Sequence, residues 1–294
     1  MKKRILLTGV TGFLGSHLAK ELLYAGCEIV ALKRKSSLLQ RIEPILSEIG
    51  LFDIEGINFD QFFSDCGRID AVIHTATCYG RNNESVSEIF AANTEFPLRL
   101  LDAGNRAGVK SFLNTDTILD KYLNLYALSK NQLLQWGKFY AMHEKIRFLN
   151  IRLEHFYGED DDPTKFSSNV INSCLGNVSD LNITKGEQRR DFIYIDDVVS
   201  AYVLLFEKLD TFENMFTEVD VGSGHSVSIR EFVETVHRIT SSKTRLNFGA
   251  IPYRDGEIMH SVADVSKLVS LGWRCRYSLE AGLKRVVAQA RMKS

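Results

Sequence analysis

Directly after the aliphatic stretch Lys3–Thr8 stands Gly9-Val-Thr-Gly12-Phe-Leu-Gly15, and a helical pattern follows at once. Gly9 permits a tight turn, Gly12 lets backbone N–H groups approach a pyrophosphate, and Gly15 lets a helix pack close to a sheet. The helix runs to Ala25, with Leu14, Leu18, Leu22 and Ala25 on one face, and Gly26 closes it. Strand, turn and helix in that order predict a dinucleotide-binding unit, with Thr11, Phe13 and Leu14 joining the three glycines at the cofactor.

The pattern continues along the first half of the chain. Glu28–Leu32 reads as a second strand, followed by a polar helical stretch through Ser47, then Ala71–Thr75, a helix around Glu84–Ala107, Ser111–Asn114, a helix around Leu125–Met142, and Arg147–Leu153. Buried apolar strands separated by crossover helices imply a parallel sheet covered on both faces. The expected fold is therefore α/β: a Rossmann-like doubly wound parallel sheet over residues 1–156, to which 190–220 returns. Residues 157–294, opening on the acids Glu159–Asp162, are expected to form a smaller α/β lobe that binds substrate.

Charge and composition narrow the function classes. Thirty-six Lys+Arg against 37 Asp+Glu leave a net charge of −1, which provides no overall basic field for nucleic acid or an anionic membrane. The longest apolar runs, such as Ala201–Phe206, fall far short of the ~20 residues of a membrane span. The start, Met1-Lys-Lys-Arg, leads straight into Ile5-Leu6-Leu7 with no signal-peptide pattern, so a cytoplasmic protein is expected. Five widely spaced cysteines without a C-x-x-C pair read as free thiols, and the scattered histidines suggest no metal site.

The end of the second strand should lie beside the adenine ribose. An NAD site places a carboxylate there; this chain has Lys33-Arg34-Lys35-Ser36-Ser37, whose cations and hydroxyls suit a 2′-phosphate. NADP(H) is the expected cofactor, held by Lys33, Arg34 and Ser36. A solvated basic turn is the alternative reading. Further on, Tyr126-Ala-Leu-Ser-Lys130 puts a phenol and an ammonium on one helix face, where the cation is expected to lower the phenol's pKa and make it an acid/base.

The Gly-x-x-Gly-x-x-Gly spacing together with Tyr-x-x-x-Lys resembles the extended short-chain dehydrogenase/reductases, the group of nucleotide-sugar epimerases, dehydratases and reductases. Asp70-Ala-Val-Ile-His74-Thr-Ala76 is similar to the family's D-x-V-I-H-x-A strand, and Asn93 to its helix asparagine. The resemblance places Ala76, Asn93, Thr115, Tyr126, Lys130, Leu153 and His155 at the cofactor. It makes Thr117, Tyr126 and Lys130 catalytic, with Thr117 orienting a substrate carbonyl. Arg152-Leu-Glu-His-Phe-Tyr-Gly158 is similar to R-x-x-N-x-Y-G, with His155 replacing the Asn and Glu154 adding a carboxylate. Gln188-Arg-Arg190-Asp and Tyr253-Arg254-Asp-Gly-Glu257 resemble segments whose arginines, here Arg190 and Arg254, clamp a sugar-nucleotide diphosphate.

Within the family, Ile118-Leu119 stand where dehydratases carry Asp-Glu, and Thr117 lies only nine residues before Tyr126. Such a short loop fits carbonyl reduction better than retention of a rotating keto intermediate. Cys78–Ser85, Leu153–Gly158 and Phe248-Gly-Ala-Ile251 resemble the bacterial O-antigen synthases of CDP-3,6-dideoxyhexoses. That resemblance implies NADPH-dependent reduction of the C4 keto group of a CDP-4-keto-3,6-dideoxyhexose to the paratose hand, with the abequose hand or a CDP-4-keto-6-deoxyglucose substrate as alternatives; Glu154 and His155 then line the sugar pocket and Lys165, Phe166 and Asn169 lie nearer the nucleotide. A 4-epimerase with tightly held NAD and a non-catalytic NADP sensor are the rival readings; intact Thr117, Tyr126 and Lys130 speak against the sensor. The family also implies a homodimer through a four-helix bundle, built here from helices carrying Ile89, Phe96, Leu100 and Ala103, and Leu133, Leu134, Trp136, Phe139 and Tyr140.

Overall fold

The computed structural model describes residues 2–293, so the outermost positions of the two expected domains and of the N-terminal reading, Met1 and Ser294, lie outside them. The strands are β1 (Arg4–Thr8), β2 (Glu28–Lys33), β3 (Ile49–Asp53), β4 (Ala71–His74), β5 (Ser111–Thr117), β6 (Arg147–Leu153), β7 (His155–Tyr157), β8 (Asp180–Ile183), β9 (Arg189–Tyr194), β10 (Phe216–Val221), β11 (Ser226–Ser228) and β12 (Arg245–Phe248). The helices are α1 (Phe13–Tyr24), α2 (Phe59–Cys66), α3 (Val86–Phe90), α4 (Phe96–Arg106), α5 (Leu125–His143), α6 (Phe166–Leu175), α7 (Ile195–Glu207), α8 (Ile229–Thr240), α9 (Ser266–Ser270) and α10 (Leu279–Lys293). Among the described residues, no helix is long and apolar enough to cross a membrane.

The chain divides into two compact units: the chain up to Arg152 with Tyr202–Val219, and Leu153–Ala201 with the chain from Asp220 onward. The first holds a seven-stranded sheet in the order β10-β6-β5-β4-β1-β2-β3. The pairs β1–β2, β1–β4, β2–β3 and β4–β5 are parallel. Ile5, Leu6 and Leu7 of β1 are wholly buried, the signature of a strand covered on both faces. The strand order reverses between β1 and β4, which makes their carboxyl ends the place where such sheets open for a ligand.

Three local expectations are corrected. The polar stretch before Ile49 is a short 3-10 turn, Glu43–Glu48, and it leads into β3, an edge strand too brief and too exposed to show a pattern. The helix expected over Glu84–Ala107 is broken into α3, a π-helical turn at Ala91–Glu95, and α4. Pro97 explains the break, because it has no N–H to return to the preceding turn. Finally, the chain leaves the first unit at Leu153 rather than after 156, and returns at Tyr202 rather than 190. Both shifts have one cause: β9 pairs with β7 and with β11, so Arg190 and the residues around it belong to the second unit's own sheet.

In that second unit, Phe192 of β9 stacks on Phe232 of α8 at 4.2 Å. Phe232, Val233 and Val236 give α8 a buried stripe, and Ser228 caps its start by accepting the Glu231 N–H at 3.0 Å. A parallel two-stranded sheet, β12 with β8, completes the unit.

Candidate active site

The glycine loop is built by contact. Gly9 has a φ of +73°, and a Cβ there would come within 2.6 Å of the Ala76 nitrogen; a Cβ on Gly15 would lie 2.1 Å from the Gly9 carbonyl oxygen. The Gly12 N–H closes the turn on Gly9 at 2.9 Å, and α1 starts from Gly12 without a side-chain cap. Its first N–H groups are therefore left for an anion. Thr8 and Thr75 fasten the neighbouring strand ends: the Thr75 hydroxyl donates to the Thr8 carbonyl at 2.8 Å, and the Thr8 hydroxyl meets buried His74 Nδ1 at 2.7 Å. Ala76 is thereby held against Gly9. Phe13 and Leu14 are buried, whereas Thr11 is half-exposed beside the cradle.

The basic turn after β2 is less free than its sequence. Lys33 is ion-paired with Asp53 at the end of β3, and the Lys35 N–H donates to both Glu55 oxygens at 3.0 Å. Arg34 and Ser36 are exposed, and among the described residues Arg34 has no ion pair. Of the three residues expected at a 2′-phosphate, Lys33 is thus committed elsewhere, because the next strand brings a carboxylate to it.

Around the Tyr-x-x-x-Lys pair the geometry is tight. Asn124 starts α5 by accepting the Ala127 N–H at 2.8 Å, which places Tyr126 and Lys130 on successive turns. The Tyr126 ring lies 5.1 Å from that of Tyr79, and the nearby Thr117 hydroxyl opposes the rise in its pKa. Lys130 is 1% exposed, and among the described residues its ammonium has no hydrogen-bond partner. Burial pushes its pKa down to about 8, with Asp116 opposing the fall. The expectation that Lys130 lowers the phenol's pKa is corrected: burial, then Tyr79 and Asp116, hold Tyr126 well above its ordinary value. The phenol is accordingly protonated at neutral pH, the form that can donate.

Asn93, expected at the cofactor, has a full set of protein partners. It is fully buried in the π-helical turn, and its amide donates to the Cys78 carbonyl at 2.7 Å and to Ser129 Oγ at 3.0 Å. Its oxygen accepts from the Cys78 N–H at 2.7 Å and the Thr77 hydroxyl at 3.2 Å. These bonds use every donor and acceptor of the side chain and tie the loop after β4 to the helix carrying Tyr126. Thr115 likewise meets the Tyr202 hydroxyl at 2.7 Å.

Of the expected substrate residues, Thr117 lies in the first unit and the rest in the second, as do Leu153 and His155. There, Glu154 has a fully buried side chain that accepts from Ser261 Oγ and meets His155 Nδ1 at 3.1 Å. Arg190, 9% exposed, pairs with Glu257 at 2.5 Å, which draws the exposed turn of Arg254 toward it through the Glu257 N–H bond to the Arg254 carbonyl, 3.1 Å. The Lys165 ammonium is 2.9 Å from buried Asp161 and 4.1 Å from the centre of the Phe156 ring. Phe166 and Asn169 stand exposed on the first turn of α6.

Sequence reasoning gave no partner role to Asp53, Asp116, Lys121, Asp161 or Glu257, each of which meets a residue it did single out. The Asp116-Thr117 dipeptide followed by a lysine was the one visible hint. Among the described residues, no group of three or more His, Cys, Asp or Glu could hold a metal ion.

A parallel sheet reversing at β1/β4, a glycine cradle, and a buried Lys one turn from a Tyr define a nicotinamide-dependent enzyme site of the short-chain dehydrogenase/reductase type. The chain belongs to the NAD dependent epimerase/dehydratase family, whose model matches residues 5–216. It is 37% identical over 295 residues to the CDP-abequose synthase of Salmonella muenchen, covering 98% of both chains. It is 32% identical over 297 residues to that of Salmonella typhimurium, again covering 98% of each. Among solved structures, the UDP-glucose 4-epimerase of Thermotoga maritima with UDP-glucose superposes with a TM-score of 0.85 at 23% identity, over 99% of both chains. That of Thermus thermophilus with NAD gives 0.82 at 22%, covering 98% of this chain and 99% of the other. These two likenesses are ones of fold.

Proposed function

We propose that this protein reduces the C4 keto group of a CDP-4-keto-3,6-dideoxyhexose with NADPH, a step in building the dideoxysugars of bacterial O-antigen. The observation that carries the reading is the buried Lys130 ammonium, unpartnered among the described residues, one helical turn from a protonated Tyr126 phenol near the Thr117 hydroxyl. An orphaned cation in a protein interior is costly unless a ligand meets it, and the nicotinamide ribose of a bound cofactor is the partner it fits. The glycine cradle, which a Cβ would fill, fits the pyrophosphate. Lys130, Gly9, Gly12 and Gly15 would hold the cofactor, with Arg34 and Ser36 at the 2′-phosphate. The cofactor supplies hydride when bound.

The remaining chemistry belongs to the chain. Thr117 orients the carbonyl oxygen, and Tyr126 gives its proton to that oxygen as charge develops on it. Lys130, kept as a cation by Asp116, would hold the nicotinamide ribose beside the phenol. Arg190 and Arg254 receive the diphosphate, for which Glu257 holds Arg190 in place until substrate arrives. The short Thr117–Tyr126 connection favours the paratose hand at C4; the likeness to two Salmonella CDP-abequose synthases supports testing the abequose hand first, with the paratose hand as the other outcome. The working form we propose is a cytoplasmic homodimer through the outer faces of α3 and α5, where Val86, Phe90, Trp136 and Phe139 are exposed while Ile89, Leu133 and Leu134 are buried.

The deciding experiment incubates the enzyme with CDP-4-keto-3,6-dideoxyglucose and NADPH, follows absorbance at the nicotinamide band, and identifies the product by NMR. Stoichiometric NADPH consumption with a C4 alcohol is expected. Sugar interconversion without net consumption would establish the epimerase instead, and no turnover would leave a sensor.

A further inference from the structure

Thr117 is the last residue of β5, and its peptide is gripped from both sides. Asp116 is 1% exposed, and its Oδ1 accepts the Thr117 backbone N–H at 2.7 Å. Its Oδ2 accepts the Lys121 ammonium at 2.7 Å and Asn150 Nδ2 at 2.9 Å. Lys121 then turns a second proton to the Thr117 carbonyl at 3.1 Å. Behind this pair, Asn150 is itself fixed, accepting from Asn114 at 2.8 Å and donating to Glu218 at 2.8 Å.

Lys121 sits in the short connection between the two catalytic hydroxyls. Three residues beyond it, Asn124 caps α5, and two more bring the chain to Tyr126. Within that connection the Tyr122 N–H donates to Asp120 Oδ1 at 2.9 Å and the Leu123 N–H to the Asp120 carbonyl at 3.1 Å. Asp116 thus anchors one end of the connection and Lys121 draws the other end back to it.

We propose that the Asp116–Lys121 ion pair is a positioning device that fixes the Thr117 hydroxyl relative to the Tyr126 phenol across the short connection between them. The role requires no contact of either residue with substrate. The role of the pair in turnover rests on the ketoreductase reading above; its role in fixing the loop does not. Removing the charge leaves the cofactor cradle intact but lets the strand end and the helix start drift. Misplacement by about 1 Å in such a constellation costs on the order of a hundredfold in rate.

Lys121→Met should lower kcat about 10- to 100-fold, with KM for NADPH and for the nucleotide sugar within about twofold of wild type. Lys121→Arg should recover most of the loss. The double variant D116N/K121M should be no slower than the slower single variant, as expected of residues acting as one unit. Independently of any substrate, amide hydrogen exchange over residues 117–125 should quicken in Lys121→Met, with residues 9–15 unchanged. An unchanged kcat, a raised KM with kcat intact, additive losses, or unaltered exchange would each overturn the proposal. Should Lys121→Met not fold, Lys121→Gln and Lys121→Arg carry the same comparison. A wild-type enzyme that turns over no 4-keto nucleotide sugar overturns the proposed reaction alone, and the exchange measurement still decides the pin.

Discussion

Lys130 is the residue whose replacement should stabilise the protein while disabling it. Its ammonium is buried and unpartnered among the described residues, and the surroundings push its pKa from 10.5 down to about 8. A displacement of that size corresponds to roughly 3 kcal/mol of folding free energy at neutral pH. The sign follows from proton counting. Between about pH 8 and the unfolded lysine's 10.5 the unfolded chain binds the extra proton, so the cost is full below pH 8 and fades as the pH climbs through that window. Met has nearly the shape of the Lys stem and no charge to desolvate, and no hydrogen bond is lost with the ammonium. Lys130→Met should therefore raise the unfolding free energy at pH 7 by about 2–3 kcal/mol, read by urea titration of the cofactor-free proteins, and the gain should shrink to well under 1 kcal/mol by about pH 10.5. NADPH should raise the Tm of the wild type more than that of the variant, since only the wild type has a cation for the ribose to meet. A variant equal to or less stable than wild type at pH 7, or a gain independent of pH, would refute the argument.

Tyr126→Phe keeps the ring against Tyr79 and removes the proton donor, so kcat should fall by at least about 100-fold with NADPH affinity nearly unchanged, as measured by single-turnover kinetics and fluorescence titration. NADPH should bind at least about tenfold more tightly than NADH, and Arg34→Ala should erode that preference by weakening NADPH alone; equal wild-type affinities in calorimetry would remove the 2′-phosphate assignment. Light scattering at micromolar concentration should give twice the chain mass, and Trp136→Asp should shift it to the monomer with a lower Tm, because Trp136 and Phe139 lie 46% and 48% exposed on one helix.

Much of the fold was legible because its signals are local. The glycine spacing, the apolar runs of β1, β4 and β6, and the Tyr-x-x-x-Lys repeat each report on a few consecutive residues. What escaped the sequence is pairing between distant segments. That Lys33 meets Asp53 follows from the register of β2 with β3, in which those two residues face each other, and β3 itself carries too little pattern to be read. That Lys165 pairs with Asp161, or that every polar atom of Asn93 is occupied, depends on burial that a residue's type does not disclose. The phenol's raised pKa has the same origin: proximity of a lysine in sequence argued for a lowered value, and desolvation in three dimensions decided otherwise.

The π-helical turn at Ala91–Glu95 has a meaning for how this chain tolerates change in length. Such a turn holds one residue more than the α-helical turn it interrupts, and one residue is about 100° of rotation around a helix axis. Everything after it is rotated by that angle: α3 shows Val86 and Phe90 to the outside, while α4 turns Leu100, Leu101 and Ala103 into the core. Deleting a single residue here would give a more regular helix, and it would also swing either Asn93 or the Leu100 face out of phase with its partners. The irregularity is therefore a spacer in the angular sense, and the register of the helix, more than its composition, is what holds Asn93 against Ser129.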